Sequence, residues 1–169
     1  MGRVLGQRLN WVFEDLDDRI EAREGRTVAE IFRDSGESEF RRAEHAALRQ
    51  VLEELQSGVA RIVALGGGTF AQPENHKVIQ DSGIRAAFLD APLPELWRRC
   101  AEQKGLDAQR PLQCSENHFR ELYEKRLPFY KTAKRFETEG KSVETVATEI
   151  AATLGLNQIA VRTEQGEVE

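Results

Sequence analysis

A chain of 169 residues is long enough for one compact domain with a real core, and no Pro/Gly/Ser-rich stretch or internal repeat marks a second. Its 24 Lys and Arg against 29 Asp and Glu leave a net charge of -5, which excludes broad attraction to nucleic acid or anionic membrane; an anionic small ligand needs a local cluster of Arg. With no signal-peptide pattern and no run of about 18 apolar residues, a bilayer span is excluded and the cytoplasm is the expected compartment.

Residues Gly2 to Leu9 read as the rest of a helix, and Trp11-Val12-Phe13 as a buried strand that ends in acidic residues. Thr27 followed by Glu30 has the spacing of a capping box and predicts a short helix through Ile31 and Phe32 that closes near Gly36. Phe40, Ala43, Ala47, Val51 and Leu55 recur at three- and four-residue intervals, the pattern of a helix of about four turns with one apolar face. Arg61 to Leu65 is a short apolar strand, and the three glycines after it mark a turn where the backbone comes close to something or takes positive φ.

Ala86 to Asp90 repeats the strand pattern, and Pro94 is placed to open a helix from Glu95 to Gln103. Gly105 to Ser115 is polar and irregular. Glu116 to Arg126 is helical by pattern, Arg135 to Thr138 is the last strand, and Ser142 to Leu154 the final helix. The division expected is one domain over residues 1–154, with a lid at about 105–115, and a polar tail over 155–169. Alternation of strands and helices predicts an α/β fold, a parallel β-sheet covered by helices on both faces, with ligands bound beyond the carboxyl ends of the strands.

Asp15, Asp17 and Gly66, Gly67 and Gly68 all fall at such ends, which groups them into one site. Asp15 and Asp17 are two apart, so on an extended strand end their carboxylates share a face and could serve magnesium and a hydroxyl; the plainer alternative is that Asp17 and Asp18 cap the next helix. Arg41 lies three residues before Glu44, in reach of an ion pair, and otherwise reads as a solvated helix charge. Arg126 precedes Leu127-Pro128, which places it close to a helix end where the chain turns. Two Arg near the ligand edge would give a forked, permanently charged grip for a carboxylate. Three successive glycines are better explained by close backbone approach to a ligand than by a plain turn. Arg110 sits in the polar segment, where a lid arginine could close over transferring phosphates and a lone loop arginine would face solvent. Cys100 and Cys114 form no C-x-x-C pair and the three His are dispersed, so free thiols and no structural metal are expected.

Asp15-Leu16-Asp17, the run Gly25 to Phe32, the run Gly36 to Arg41, Gly66-Gly67-Gly68, Arg110-Pro111-Leu112 and Arg126-Leu127-Pro128-Phe129-Tyr130 stand in the order and rough spacing of shikimate kinases, and the chain resembles that family from about Gly2 to Ile150. The resemblance implies a P-loop kinase fold of the nucleoside-monophosphate-kinase type and transfer of the ATP γ-phosphoryl group to the 3-hydroxyl of shikimate, in the pathway to aromatic amino acids. It implies that Asp17 binds and helps deprotonate the hydroxyl, that Arg41 and Arg126 hold the carboxylate, and that Gly66 to Gly68 supply N–H groups. Asp15 matches the position that supports Mg2+ through water, and Arg110 the lid residue that contacts ATP; a monomer is expected. One element of the family pattern is missing. The 169 residues hold no G-x-x-x-x-G-K-[ST] loop, and Met1 to Leu5 resembles the helix that starts just past it. The expectation is therefore a chain shortened at its front, without its first strand, inactive as a kinase and weakened in its core. The alternatives are a kinase for another small hydroxy acid such as gluconate, or a non-catalytic remnant that binds shikimate. The segment Thr138 to Val143 also lacks an Arg that some members place near the adenine.

Overall fold

A computed structural model describes residues 1–103 and 115–157 of the chain. Helix α1 (Gly2–Leu9) leads into strand β1 (Val12–Asp15), then α2 (Leu16–Glu24), α3 (Val28–Gln56) and β2 (Arg61–Ala64). A short α4 (Gly67–Phe70), α5 (Pro73–Ser82), β3 (Ala87–Asp90) and α6 (Leu93–Gln103) follow, and α7 (Glu116–Tyr130), β4 (Lys134–Glu137) and α8 (Val143–Thr153) complete the described chain.

The local signals act as expected at most boundaries. Thr27 and Glu30 form a reciprocal capping box at the start of α3, satisfying two amides that the helix cannot bond itself. The helix is broken at Gly36 (φ 80°, ψ 177°), a backbone state that side chains rarely adopt, so the apolar stripe starts afresh beyond it. Phe40, Ala43, Ala47, Leu48, Val51 and Leu52 are all buried along that second part. Their partners are Leu16 and Ile20 of α2 and Ile79 of α5, with Val63 of β2 packed against the cluster. Ile62, the neighbour of Val63, packs on the opposite side against Leu5, Leu9, Phe136, Val146 and Ile150. Successive residues of one strand thus meet two helical layers, as in an α/β sheet covered on both faces.

β1 and β2 pair in parallel, Phe13 opposite Ile62 and Asp15 opposite Ala64. β3 and β4 pair in parallel, Ala87 opposite Lys134 and Asp90 opposite Glu137. The α/β fold of parallel strands between helices expected from the sequence is present; the strands form two separate pairs, and among the described residues none hydrogen-bonds β2 to β3. Among the described residues each strand keeps an unpaired edge, and side chains that a neighbouring strand would cover stay accessible. Val12, expected in a buried strand, is 60% exposed, and Leu89 on β3 is 38% exposed. A fully buried aliphatic side chain stabilises by about 1.5–3 kcal/mol, so these positions contribute well below what the same residues give inside a closed sheet.

Three further features depart from the pattern reading. The glycines after β2 open helix α4, with Gly66 as its N-cap at φ -60°, and none of the three has positive φ. α5 begins at Pro73, whose fixed φ and missing N–H suit a first helical turn. α7 runs through Pro128 to Tyr130, so Arg126 stands inside the helix, about one turn before its end, and not at a turn of the chain. The bias of Pro against a preceding helical residue is overridden by packing: Phe129 meets His76 at 5.1 Å, and Tyr130 stacks on Phe88 at 5.0 Å.

A candidate carboxylate site at the ends of β1 and β2

The register Asp15 to Ala64 sets Asp17 and Gly66, each two residues further on, beyond the same carboxyl edge. The two acids do not share an extended strand end, since the chain turns helical at Leu16. Asp15 is the N-cap of α2: its Oδ1 accepts from the Asp17 amide at 3.0 Å. Asp17, half-buried, occupies the first helical turn with Asp18. The capping role thus falls to Asp15, and Leu16 between the acids is fully buried, which fixes the pivot from which both are presented.

Space over the glycines is filled by the protein's own functional groups. A Cβ on Gly68 would lie 3.3 Å and 3.4 Å from the two terminal nitrogens of Arg41 and 3.7 Å from Arg126 Nη2. A Cβ on Gly67 would lie 2.7 Å from the Tyr130 hydroxyl and 3.5 Å from Arg126 Nη1. Two guanidinium groups from α3 and α7 therefore converge on one glycine, as the sequence reading requires of a carboxylate grip. α4 spans a single turn, so the amides of Gly67, Gly68 and Thr69 have no carbonyl partner within it.

Each arginine is held by a different device. Arg41 Nη1 donates to both oxygens of Glu44, at 3.1 Å and 3.0 Å, and Arg41 Nη2 to Glu37 at 3.1 Å. The i,i+3 pair legible in the sequence is present, but Glu44 is a buried carboxylate, 2% exposed, and not part of a solvated face. It also accepts from the Thr69 hydroxyl at 2.6 Å and from Asn75 Nδ2 at 3.4 Å, and Asn75 Oδ1 in turn meets His45 Nδ1 at 2.7 Å. One carboxylate thus ties α3 to α4 and α5 and orients Arg41 beside the glycines. Sequence reasoning missed this role, although a signal existed: Glu44 falls at i+4 from Phe40 and i-4 from Leu48, on the core-facing stripe. Replacing Glu44 by Ala strips partners from Arg41 and from a buried hydroxyl, and is expected to cost about 2–3 kcal/mol of stability in a urea titration. That lies below the 3–5 kcal/mol of a fully buried pair because Arg41 is 27% exposed and water recovers part of the loss.

Arg126 pairs with no carboxylate among the described residues and is placed from both sides along α7. One turn before it, the Tyr123 hydroxyl donates to the buried Asp90 at 3.1 Å, and Arg135 Nε donates to the other Asp90 oxygen at 2.7 Å. One turn after it, the Tyr130 hydroxyl donates to the Gly67 carbonyl at 2.9 Å. Burial pushes the Tyr130 phenol upward, and the neighbouring Arg126 charge pulls it back only in part, so it stays protonated and able to donate at neutral pH. An arginine with no carboxylate partner among the described residues, beside a second arginine and the first amides of a helix, is arranged for an anion with two oxygens. Arg110, the predicted lid residue, lies outside the described residues, as does the predicted lid over 105–114.

Parallel strands between two helical layers, with acids, arginines and glycines gathered at their carboxyl ends, define an α/β protein with an anion-binding site at the sheet edge where such folds take their ligands. The chain belongs to the shikimate kinase family: the model of that family, "Shikimate kinase", matches residues 1–155. Shikimate kinase of Persephonella marina is 35% identical over 151 residues, covering 89% of this chain and 87% of that protein. Shikimate kinase of Thermus thermophilus is 37% identical over 158 residues, covering 91% and 82%. Among solved structures, shikimate kinase from Aquifex aeolicus superposes with a TM-score of 0.75 at 28% identity, over 91% of this chain and 87% of that one. Shikimate kinase from Acinetobacter baumannii in complex with shikimate gives 0.73 at 30% identity, over 91% and 84%. No helix of the described residues is long and apolar enough to cross a membrane.

Proposed function

We propose that the site holds shikimate and serves phosphoryl transfer from ATP to its 3-hydroxyl, giving shikimate 3-phosphate. The observation that carries this reading is the convergence of Arg41 and Arg126 on Gly68. Their two forks grip the ring carboxylate, the amides of Gly66 to Gly68 bond its oxygens, and Asp17 in the first turn of α2 takes the proton of the attacking hydroxyl. Positioning of this kind, with charge neutralisation, is most of what a phosphoryl transferase supplies. Shikimate is favoured over gluconate because a rigid ring with one carboxylate suits two guanidiniums brought together from α3 and α7, whereas an open-chain acid would lose more conformational freedom on binding.

The oxygen donors of Asp15 and Asp17 fit Mg2+ held through water: Asp15 uses Oδ1 for its cap, which leaves its second oxygen for such a contact. The ion would supply neutralisation of the phosphates. The phosphates of ATP find less. The 169 residues contain no glycine-rich loop with its Lys and Ser/Thr, and Arg110 is the one contact assigned to them. These 169 residues hold no phosphate cradle for the transfer step, and the reading further takes the protein as a monomer of the cytoplasm. Titration with shikimate and with gluconate, followed at the amides around Gly66 to Thr69, tests the reading.

A further inference from the structure

We propose that Tyr130 is a positioning residue of the shikimate grip, its hydroxyl holding the Gly67 carbonyl so that the Gly68 amide is presented beside Arg41. This rests on the proposed binding of shikimate at the same site. The argument begins with the ring. Tyr130 stacks on Phe88 of β3 with centroids 5.0 Å apart and planes 30° apart, and lies 6.4 Å from Phe70 of α4. Because the phenol is wedged between β3 and α4, its hydroxyl has little freedom, and it donates to the Gly67 carbonyl at 2.9 Å. The peptide unit joining Gly67 and Gly68 is planar and trans, so the Gly68 N–H points opposite to that carbonyl, away from Tyr130. Without a Cβ on either residue this peptide could rotate widely, and a single fixed acceptor bond removes that freedom. Gly68 stands where the terminal nitrogens of Arg41 and Arg126 converge. One hydroxyl therefore aligns the amide with the arginines.

The same geometry accounts for Gly67. A Cβ there would stand 2.7 Å from the hydroxyl, closer than real contacts allow, yet 3.8 Å from the ring carbon that bears it, an ordinary contact. The absence of a side chain at 67 is thus a requirement set by Tyr130, over and above any set by a ligand. It follows that removing the hydroxyl should make an alanine tolerable.

The experiment compares the full chain with Tyr130→Phe, Gly67→Ala and the double variant, by calorimetric titration with shikimate, thermal unfolding, and the 13C resonance of the Gly67 carbonyl. Tyr130→Phe keeps the stack and is expected to unfold within a few degrees of the parent, to move the Gly67 carbonyl resonance upfield as it loses its donor, and to bind shikimate about tenfold more weakly, the size of one hydrogen bond. Gly67→Ala is expected to bind more weakly still, and the double variant to return to the level of Tyr130→Phe. Unchanged affinity in Tyr130→Phe, or a double variant no better than Gly67→Ala alone, would overturn the proposal. A parent chain that does not bind shikimate would overturn the function proposed above; an unmoved carbonyl resonance in Tyr130→Phe would refute the Tyr130 contact independently of any ligand.

Discussion

Substitution of Arg126 by Ala is expected to weaken shikimate binding by about 30- to 150-fold, equivalent to about 2–3 kcal/mol, with little change in unfolding temperature. The size follows from the loss of a charge-assisted, forked contact to a carboxylate, worth more than a neutral hydrogen bond. The small effect on stability follows from its surroundings: Arg126 has no carboxylate partner among the described residues, and α7 is anchored on either side of it by Tyr123 to Asp90 and Tyr130 to Gly67. Arg41 should behave differently, since its removal leaves the buried Glu44 without its cation. A calorimetric titration paired with thermal unfolding separates the two, and shikimate affinity that survives Arg126→Ala would remove α7 from the site.

The second large effect concerns turnover. The 169-residue chain is expected to form no shikimate 3-phosphate above the uncatalysed background in a coupled ADP assay, while still binding shikimate. Loss of one preorganised donor to a transition state costs about 10²- to 10³-fold in rate, and here the backbone cradle, the Lys and the magnesium-binding hydroxyl of a phosphate loop are all absent from the sequence. Fusing an apolar strand and a G-x-x-x-x-G-K-[ST] loop ahead of α1 is expected to restore turnover and to raise the unfolding temperature. Both effects have one structural reason, the open edges of β2 and β3: a strand seated there would cover Leu89 and place the loop at the carboxyl edge, next to the glycines that follow β2. Turnover by the unextended chain would show that other residues carry the phosphates.

Much of this was legible in the residues because the signals are local. The capping box of Thr27 and Glu30 and the stripe from Phe40 to Leu55 each depend on spacing within one helix, and each reappears in the fold. The assembly of Arg41, Arg126 and the three glycines was also legible, since strand ends of a parallel sheet converge and the family order was clear. What failed depended on contacts between elements. The spacing of Asp15 and Asp17 suits an extended strand end, but the buried Leu16 opens α2 between them. Leu127-Pro128 signals a helix end near Arg126, but Phe129 and Tyr130 hold the helix together through His76 and Phe88. The three glycines need no positive φ, and part of the close approach they allow is to the protein's own Arg41 and Tyr130, which are distant in sequence. Burial of Glu44 was invisible as an i,i+3 pair alone, because its other partners, Thr69 and Asn75, are distant in sequence.

The measurement that tests the central claim most directly is an amide chemical-shift titration of the chain with shikimate, repeated with gluconate. The account predicts saturable shifts for shikimate concentrated at Gly66 to Thr69, Asp17, Arg41 and Arg126, and weaker, unsaturated shifts for gluconate. Saturable shifts elsewhere, or gluconate saturating these same residues at lower concentration, would contradict it.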